Sequence, residues 1–220
     1  MAQGQGLRER KKEQTRRALG RTAIELFLER GYDNVSVAEI AAATEVSKMT
    51  VFNYVHSKED LVLGPMEEHV ADAARAVRDR RPGESVVAAF RRQFLDALAL
   101  HDASVGFDDQ PRVLAIRRLI DETPALRSRA LMACARSQQL LEEELAAAAG
   151  EEGGELAPVA AAMLMGARNA LISYNRSRLL AGDSAETAYP DAVAMAERAF
   201  AMVESGLGAY ARATSAQPAQ

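Results

Sequence analysis

Apolar residues in the first third of the chain recur at helical spacing and stop at polar, turn-forming clusters. Leu19, Ala23, Leu26 and Phe27 fall on one face of a helix expected from about residue 13 to Arg30, which "RGYDN" ends with Gly31 as its cap. Ser36 then opens "SVAE", in which a serine hydroxyl and the glutamate three residues on cap each other's backbone, starting a short helix to about Ala43. Ser47 is placed to cap a third short helix ending near Val55, and in "HSKED" Ser57, Glu59 and Asp60 favour the start of a fourth. Turn-forming breaks near 80–85, 102–111, 121–124, 150–158 and 181–190 separate five more helices. The pattern predicts an all-α protein of about nine helices, without an internal repeat.

Three short helices share one small core only if their apolar positions converge. Ile40 and Ala41 from the second, Val46 in the turn, and Val51 and Tyr54 from the third do so. That is the pattern of a helix-turn-helix, in which one helix braces the next so that its outer face can lie in the DNA major groove. The outer face carries Lys48, Met49, Thr50 and Asn53. Lysine suits guanine O6 or N7, asparagine suits adenine, and a methionine or a threonine methyl suits thymine.

Residues 13–63 resemble the N-terminal domain of the tetracycline-repressor (TetR) family of bacterial transcriptional regulators, through "TAIELFLERGYDNVSVAEIA", "VSKMTVFNYV" and "HSKEDL" in that order and spacing. The resemblance implies that Lys48, Met49, Thr50 and Asn53 face the groove, and that Ser36, Ser47, Tyr54 and Lys58 contact phosphates. Two positions depart from the family pattern. Glu45 stands in the turn where glycine is common, a place that costs roughly 1 kcal/mol if left-handed. Phe52 replaces the usual tyrosine and so lacks its hydroxyl. The resemblance further implies a ligand-responsive regulator, a repressor that binds a palindromic operator in double-stranded DNA as a homodimer and is released by a small amphipathic or hydrophobic molecule. It implies a helix-turn-helix domain over 1–60 and a ligand-binding and dimerisation domain over 61–212, with 213–220 a disordered tail. A helical ligand-binding or scaffold protein without specific DNA binding is the alternative, supported by Glu45 and by an acidic body.

That acidity matters for the partner. The net charge is −4, yet residues 7–21 hold Arg8, Arg10, Lys11, Lys12, Arg16, Arg17 and Arg21 against Glu9 and Glu13, a local +5 that leaves −9 for the rest. A basic end on an acidic body directs one end alone to a polyanion, with Arg17 a candidate phosphate contact, unless the run is simply a solvated face. With one cysteine, Cys134, and no secretory leader in "MAQGQGLRERKKEQ", the cytoplasm is the expected compartment. Arg168, Asn169 and Asn175 interrupt the longest apolar stretches, so no membrane span is expected. His56, His69 and His101 are scattered without metal-ligand spacing, and no carboxylate pair or activated nucleophile stands out. Neither enzyme chemistry, a cofactor nor a metal is expected.

Two patterns concern the C-terminal part. Val193, Ala196, Phe200, Val203, Leu207 and Tyr210 recur in steps of three and four, and Ala162, Gly166, Ala170 and Ser173 form a stripe of small residues. Both stripes either face the subunit's own core or join two copies in a four-helix bundle. Phe90, Phe94, Leu98 and His101 share a helix face. His101 there is either a core histidine bound to a carbonyl or the polar end of a ligand pocket, with Arg117, Gln138 and Asn169 the other polar groups near inward faces.

Overall fold

The structure, a computed structural model, describes residues 2–207, with side chains at all of them except 2–9, 151–152 and 207. The Arg8 side chain of the basic run, the Leu207 side chain and Tyr210 of the seam, and the 213–220 tail therefore lie outside the described residues. Within them the chain is helical, with no strand. The helices are α1 (Ala2–Arg30), α2 (Val37–Ala43), α3 (Lys48–Phe52), α4 (Asp60–Glu68), α5 (Asp72–Arg78), α6 (Val86–Ala99), α7 (Pro111–Glu122), α8 (Pro124–Gly153), α9 (Ala157–Leu180) and α10 (Ala185–Leu207), with 3-10 turns at Ala103–Val105 and Gly154–Leu156.

Three boundaries differ from those the pattern predicts, each for a local reason. α1 starts at Ala2, because the residues before 13 carry no apolar stripe to reveal a helix but also no proline to stop one. The stretch expected as one helix before the break at 80 divides into α4 and α5, which gives ten α-helices among the described residues. α10 begins at Ala185 and runs through Pro190, because the Ser184 hydroxyl accepts from the Thr187 amide (3.2 Å) and the Asp109 carboxylate from the Ala185 amide (2.8 Å).

The chain forms two compact units: residues up to Glu68 together with Ala115–Met132, and His69–Leu114 together with the residues from Ala133 on. A boundary after residue 60 would fall at the start of α4, whose Leu61, Val62 and Leu63 belong to the first core. That core joins Leu19, Ala23 and Phe27 of α1 to Ile40 and Val51, and takes in Ile120 of α7 and Leu126 of α8. In the second unit Phe90 and Phe94 of α6 meet the ring of Phe200 edge-on, at 6.2 and 5.8 Å between centroids. Leu141, Leu145, Leu164 and Leu98 complete that core.

Gly154–Leu180, which includes α9, is long and apolar enough to cross a membrane by length and composition, contrary to the reading that nothing in the sequence was. In the fold its apolar side packs against protein: Ala160, Ala161, Leu164, Met165, Leu171 and Leu179 are buried in the second core. α9 also holds the loop after α6. The Asn175 amide donates to the Val105 carbonyl (2.9 Å), and the next residue, Gly106, lies against the α9 backbone with φ 71°. A Cβ at Gly106 would stand 2.8 Å from the Ile172 carbonyl oxygen. Gly106→Ala combines a left-handed penalty with a backbone clash and should cost about 2–4 kcal/mol, seen as a fall in Tm of roughly 5–10 °C; an unchanged Tm would mean that the loop is free to move away.

Candidate functional site

α3 has five residues, too few to persist unaided. Its position is set at the preceding turn, where the Val46 amide donates to the Ala41 carbonyl (2.9 Å) and the Glu45 amide to that of Ala42 (3.1 Å), with Glu45 left-handed at φ 56°. This paired closure of a helix end is the one for which glycine is usual. Glu45 therefore sits strained in the turn between the two helices, as the sequence led one to expect. Ser47 then caps α3, its hydroxyl accepting from the Thr50 amide at 3.0 Å and sharing a hydrogen bond with the Thr50 hydroxyl at 2.8 Å. Val51 on the inner side is fully buried.

α2 is fixed the same way. The Ser36 hydroxyl accepts from the Glu39 amide (3.2 Å) while the Glu39 carboxylate accepts from the Ser36 amide (2.8 Å) and from Arg30 (2.5 Å). The Ser36 amide, the Arg30 guanidinium and the Ser36 hydroxyl together hold the Glu39 carboxyl down to about 2.

The outward side of this pair carries Lys48, Met49, Phe52 and Asn53, all exposed, with Thr50 half-buried and occupied by Ser47. Met49 is 71% exposed and Phe52 42%, which makes them the large apolar groups of this surface. The Lys48 ammonium lies 5.9 Å from the Phe52 ring centroid, within reach of a weak cation–π contact. Phe52, set aside in the sequence for its missing hydroxyl, is thus part of the face. Ser36 and Ser47 are exposed at the two helix starts, and Tyr54 is half-buried against the first core.

Lys58 is placed differently from a phosphate contact. Its ammonium donates to the Tyr32 carbonyl and lies over the Tyr32 ring (4.0 Å) and the Phe27 ring (5.2 Å), and burial pushes its pKa down. The Tyr32 hydroxyl in turn donates to Glu59 (2.8 Å), its pKa raised first by burial and then by that carboxylate. Lys58 is a brace for the end of α1. The basic face is on α1 itself, where Arg10, Gln14, Arg17 and Arg21 line one side. Arg17 is well exposed although its guanidinium donates to Glu13 (2.7 Å).

The second unit has a cavity of about 190 Å³ between α5, α6, the loop after α6 and α9. Phe90 and Phe94 line it as the sequence predicts. The remaining expected residues do not join them. Leu98 is fully buried in the core, Gln138 is half-buried outside the lining, and Arg117 belongs to the first unit. Asn169 points outward; its neighbour Arg168 turns in, since one residue is about 100° around a helix. His101 fits neither of its two readings. It is exposed, left-handed at φ 53°, and closes the end of α6 through the His101 amide to Leu98 (3.0 Å) and the Asp102 amide to Ala97 (3.0 Å), its ring edge-on to that of Phe107 with centroids 5.7 Å apart. Arg168, His69, Asp72 and Gln93 supply the polar lining that sequence reasoning missed. The one available signal was an arginine in the middle of the apolar part of α9.

The two C-terminal stripes also separate. Ala196, Phe200 and Val203 are buried in their own core with Val193 half-buried beside them, so the α10 seam faces inward. The α9 stripe of Ala162, Gly166, Ala170 and Ser173 is exposed, flanked by Val159, Met163 and Met202 of α10, the last 75% exposed.

Comparison with known proteins gives likenesses of sequence and of fold. Residues 21–64 match the family described as bacterial regulatory proteins, tetR family. Over 125 residues the chain is 38% identical to the HTH-type transcriptional regulator TcmR of Streptomyces glaucescens, covering 56% of this chain and 55% of TcmR. Over 73 residues it is 34% identical to the uncharacterized HTH-type transcriptional regulator YuxN of Bacillus subtilis, covering 33% and 25%. The chain thus spans about half the length of TcmR and a quarter of YuxN. A solved structure of a TetR-family transcriptional regulator from Mesorhizobium loti superposes with a TM-score of 0.54 over 89% of this chain and 97% of the other, at 15% identity, a likeness of fold.

Two measurements check the local energetics. Glu45→Gly should raise stability by up to about 1 kcal/mol in denaturant unfolding, by relieving the left-handed strain. Glu39 has a folded-state pKa below its ordinary 4.5, so its contribution is complete above that pH and is lost as pH falls toward 2. Glu39→Gln should flatten acid unfolding in that window, and an unaltered pH profile would exclude Glu39 from the acid response.

Proposed function

We propose that the chain, whose residues 21–64 match the family described as bacterial regulatory proteins, tetR family, is a one-component transcriptional regulator of that kind. It binds a palindromic operator as a homodimer through α3, represses, and is released when a small molecule occupies the second unit. The observation that carries the DNA reading is the division of α3, with Val51 fully buried on one side and Lys48, Met49, Phe52 and Asn53 exposed on the other. Only the exposed set is available to base edges. Lys48 suits guanine and Asn53 suits adenine, while Met49 and Phe52 suit the thymine methyl. Arg10, Arg17 and Arg21 on α1 serve the phosphates, with Ser36 and Ser47 at the helix starts and Tyr54 beside them.

Dimerisation follows from the exposed α9 stripe. Small side chains at Ala162, Gly166, Ala170 and Ser173 permit close approach of a second copy, and Val159, Met163 and Met202 provide apolar area around it. Such an interface is isologous, which suits an inverted repeat.

Selection from random duplex DNA should enrich an inverted repeat; enrichment of nothing would sink the DNA reading. On the selected site Lys48→Ala should cost about 1–3 kcal/mol and relax one position per half-site. Replacing individual thymines by deoxyuridine removes the methyl alone, and should weaken binding where Met49 and Phe52 touch while leaving the Met49→Ala, Phe52→Ala double variant indifferent. Arg17→Ala should weaken all sequences alike and flatten the salt dependence. For assembly, the protein should sediment as a dimer at micromolar concentration and Ala170→Glu as a monomer of unchanged helicity. A wild-type monomer would refute the interface.

A further inference from the structure

Among the described residues, the cavity of the second unit contains a cation that no salt bridge holds, Asp72 and Asp102 acting on it only from a distance. Arg168 lines it, and its guanidinium makes one hydrogen bond, from Nη2 to the Ser104 carbonyl oxygen at 3.1 Å. Among the described residues no carboxylate lies within ion-pair distance of it, although Asp72 and Asp102 line the same cavity. Both carboxylates are engaged elsewhere. Asp72 takes the His69 ring nitrogen Nδ1 at 2.7 Å and the Arg75 guanidinium, and Asp102 accepts the Ser104 amide at 2.7 Å.

We propose that Arg168 is the anchor for the carboxylate of a small aromatic monoacid, whose ring lies against Phe90 and Phe94. The proposal rests on the second unit being the effector site and names the effector's class. Three properties of the cavity select it. First, most of the guanidinium donors remain unused, and their planar fork matches a carboxylate bidentately, an ionised acceptor making the stronger bond. Burial lowers the Arg168 pKa although Asp72 and Asp102 pull the other way, so part of the desolvation cost stays uncompensated and an anion at the guanidinium would offset it. Second, Phe90, Phe94, Ala97 and Val105 supply an apolar wall. The wall and Arg168 together call for a molecule apolar at one end and anionic at the other. Third, the cavity, of about 190 Å³, gives room for a benzoate-sized molecule. Asp72 and Asp102 on the same wall oppose any anion, and a dianion about twice as strongly as a monoanion, so dicarboxylates and phosphates are disfavoured most.

The test uses the full chain without DNA. Benzoate and phenylacetate are titrated by calorimetry and by thermal shift, against their uncharged isosteres benzamide and phenylacetamide and against phthalate as a dianion. The monoacids should bind at least about tenfold tighter than either control. Arg168→Gln should abolish that preference while amide binding stays, and Arg168→Lys should restore part of it. Arg168→Met gives a readout that a merely structural arginine would move the other way. If Arg168 serves chiefly to hold Ser104, the unliganded variant melts lower; if it is an uncompensated anchor, the variant melts at the same temperature or higher and loses acid binding. Equal binding of acid and amide, no binding of any acid, or a preference that survives Arg168→Gln would each overturn the proposal. Operator release is scored separately on the selected site. Acids that bind through Arg168 without releasing operator leave the anchor standing and refute the regulatory reading, whereas operator selection without acid binding does the reverse.

Discussion

A five-residue helix cannot hold its own geometry, and everything proposed for the first unit depends on that constraint being met from outside α3. Helix nucleation fixes several residues before the first hydrogen bond forms, so an isolated segment of this length stays unfolded in water. Three supports replace the missing length: the turn closed by the Glu45 and Val46 amides, the Ser47 cap, and Val51 inserted into the first core. Each acts on backbone or on the inner face, which leaves Lys48, Met49, Phe52 and Asn53 unburdened by structural work. Thr50 differs, because its hydroxyl is shared with Ser47 and its position half-buried. The strain at Glu45 is part of the same arrangement: the turn dictates a left-handed residue there, and the core fixed by Val46 and Val51 maintains it despite the wrong side chain.

The legible parts of the structure were those in which cause and effect lie within about four residues. Ser36 with Glu39, Ser47 with Thr50 and the Glu45 turn are local hydrogen-bonding devices written into the sequence, and the structure forms all three. Helix breaks at glycine and proline clusters were visible for the same reason. In the divided α4–α5 stretch the glycine-proline pair, Gly64–Pro65, lies inside α4, and none marks the division after Glu68. α1 before residue 13 lacked the opposite signal, an apolar stripe.

Placement that depends on tertiary partners was not legible. A step of three and four along α10 identifies an apolar face but not what covers it, and Phe200 turned out to meet Phe90 and Phe94 of its own unit. Lys58 reads as a surface cation beside a helix start, yet the fold brings two aromatic rings and a carbonyl to it. In both cases the sequence defines a chemical capacity, burial for phenylalanine and cation–π contact for lysine, and the long-range packing chooses the partner. His101 is the complementary case, where a backbone requirement at the end of α6 decides where the residue sits.

α9 shows why composition alone misleads about such a helix. Its buried side needs apolar residues for the second core, and its exposed side carries small residues with Val159 and Met163 among them, so the whole reads as apolar enough for a bilayer. A membrane span would have to satisfy Arg168 and Asn175 in hydrocarbon, where unpaired polar groups cost several kcal/mol. Here Asn175 binds the Val105 carbonyl and Arg168 the Ser104 carbonyl, so the polar groups that would penalise a span instead fasten the loop after α6 to the helix. The same two carbonyls come from adjacent residues on the cavity wall, which makes the loop the common element between the core of the second unit and its cavity. A molecule that engages Arg168 either uses the free donors and leaves the Ser104 bond in place or displaces that bond, and only displacement alters how the loop is held.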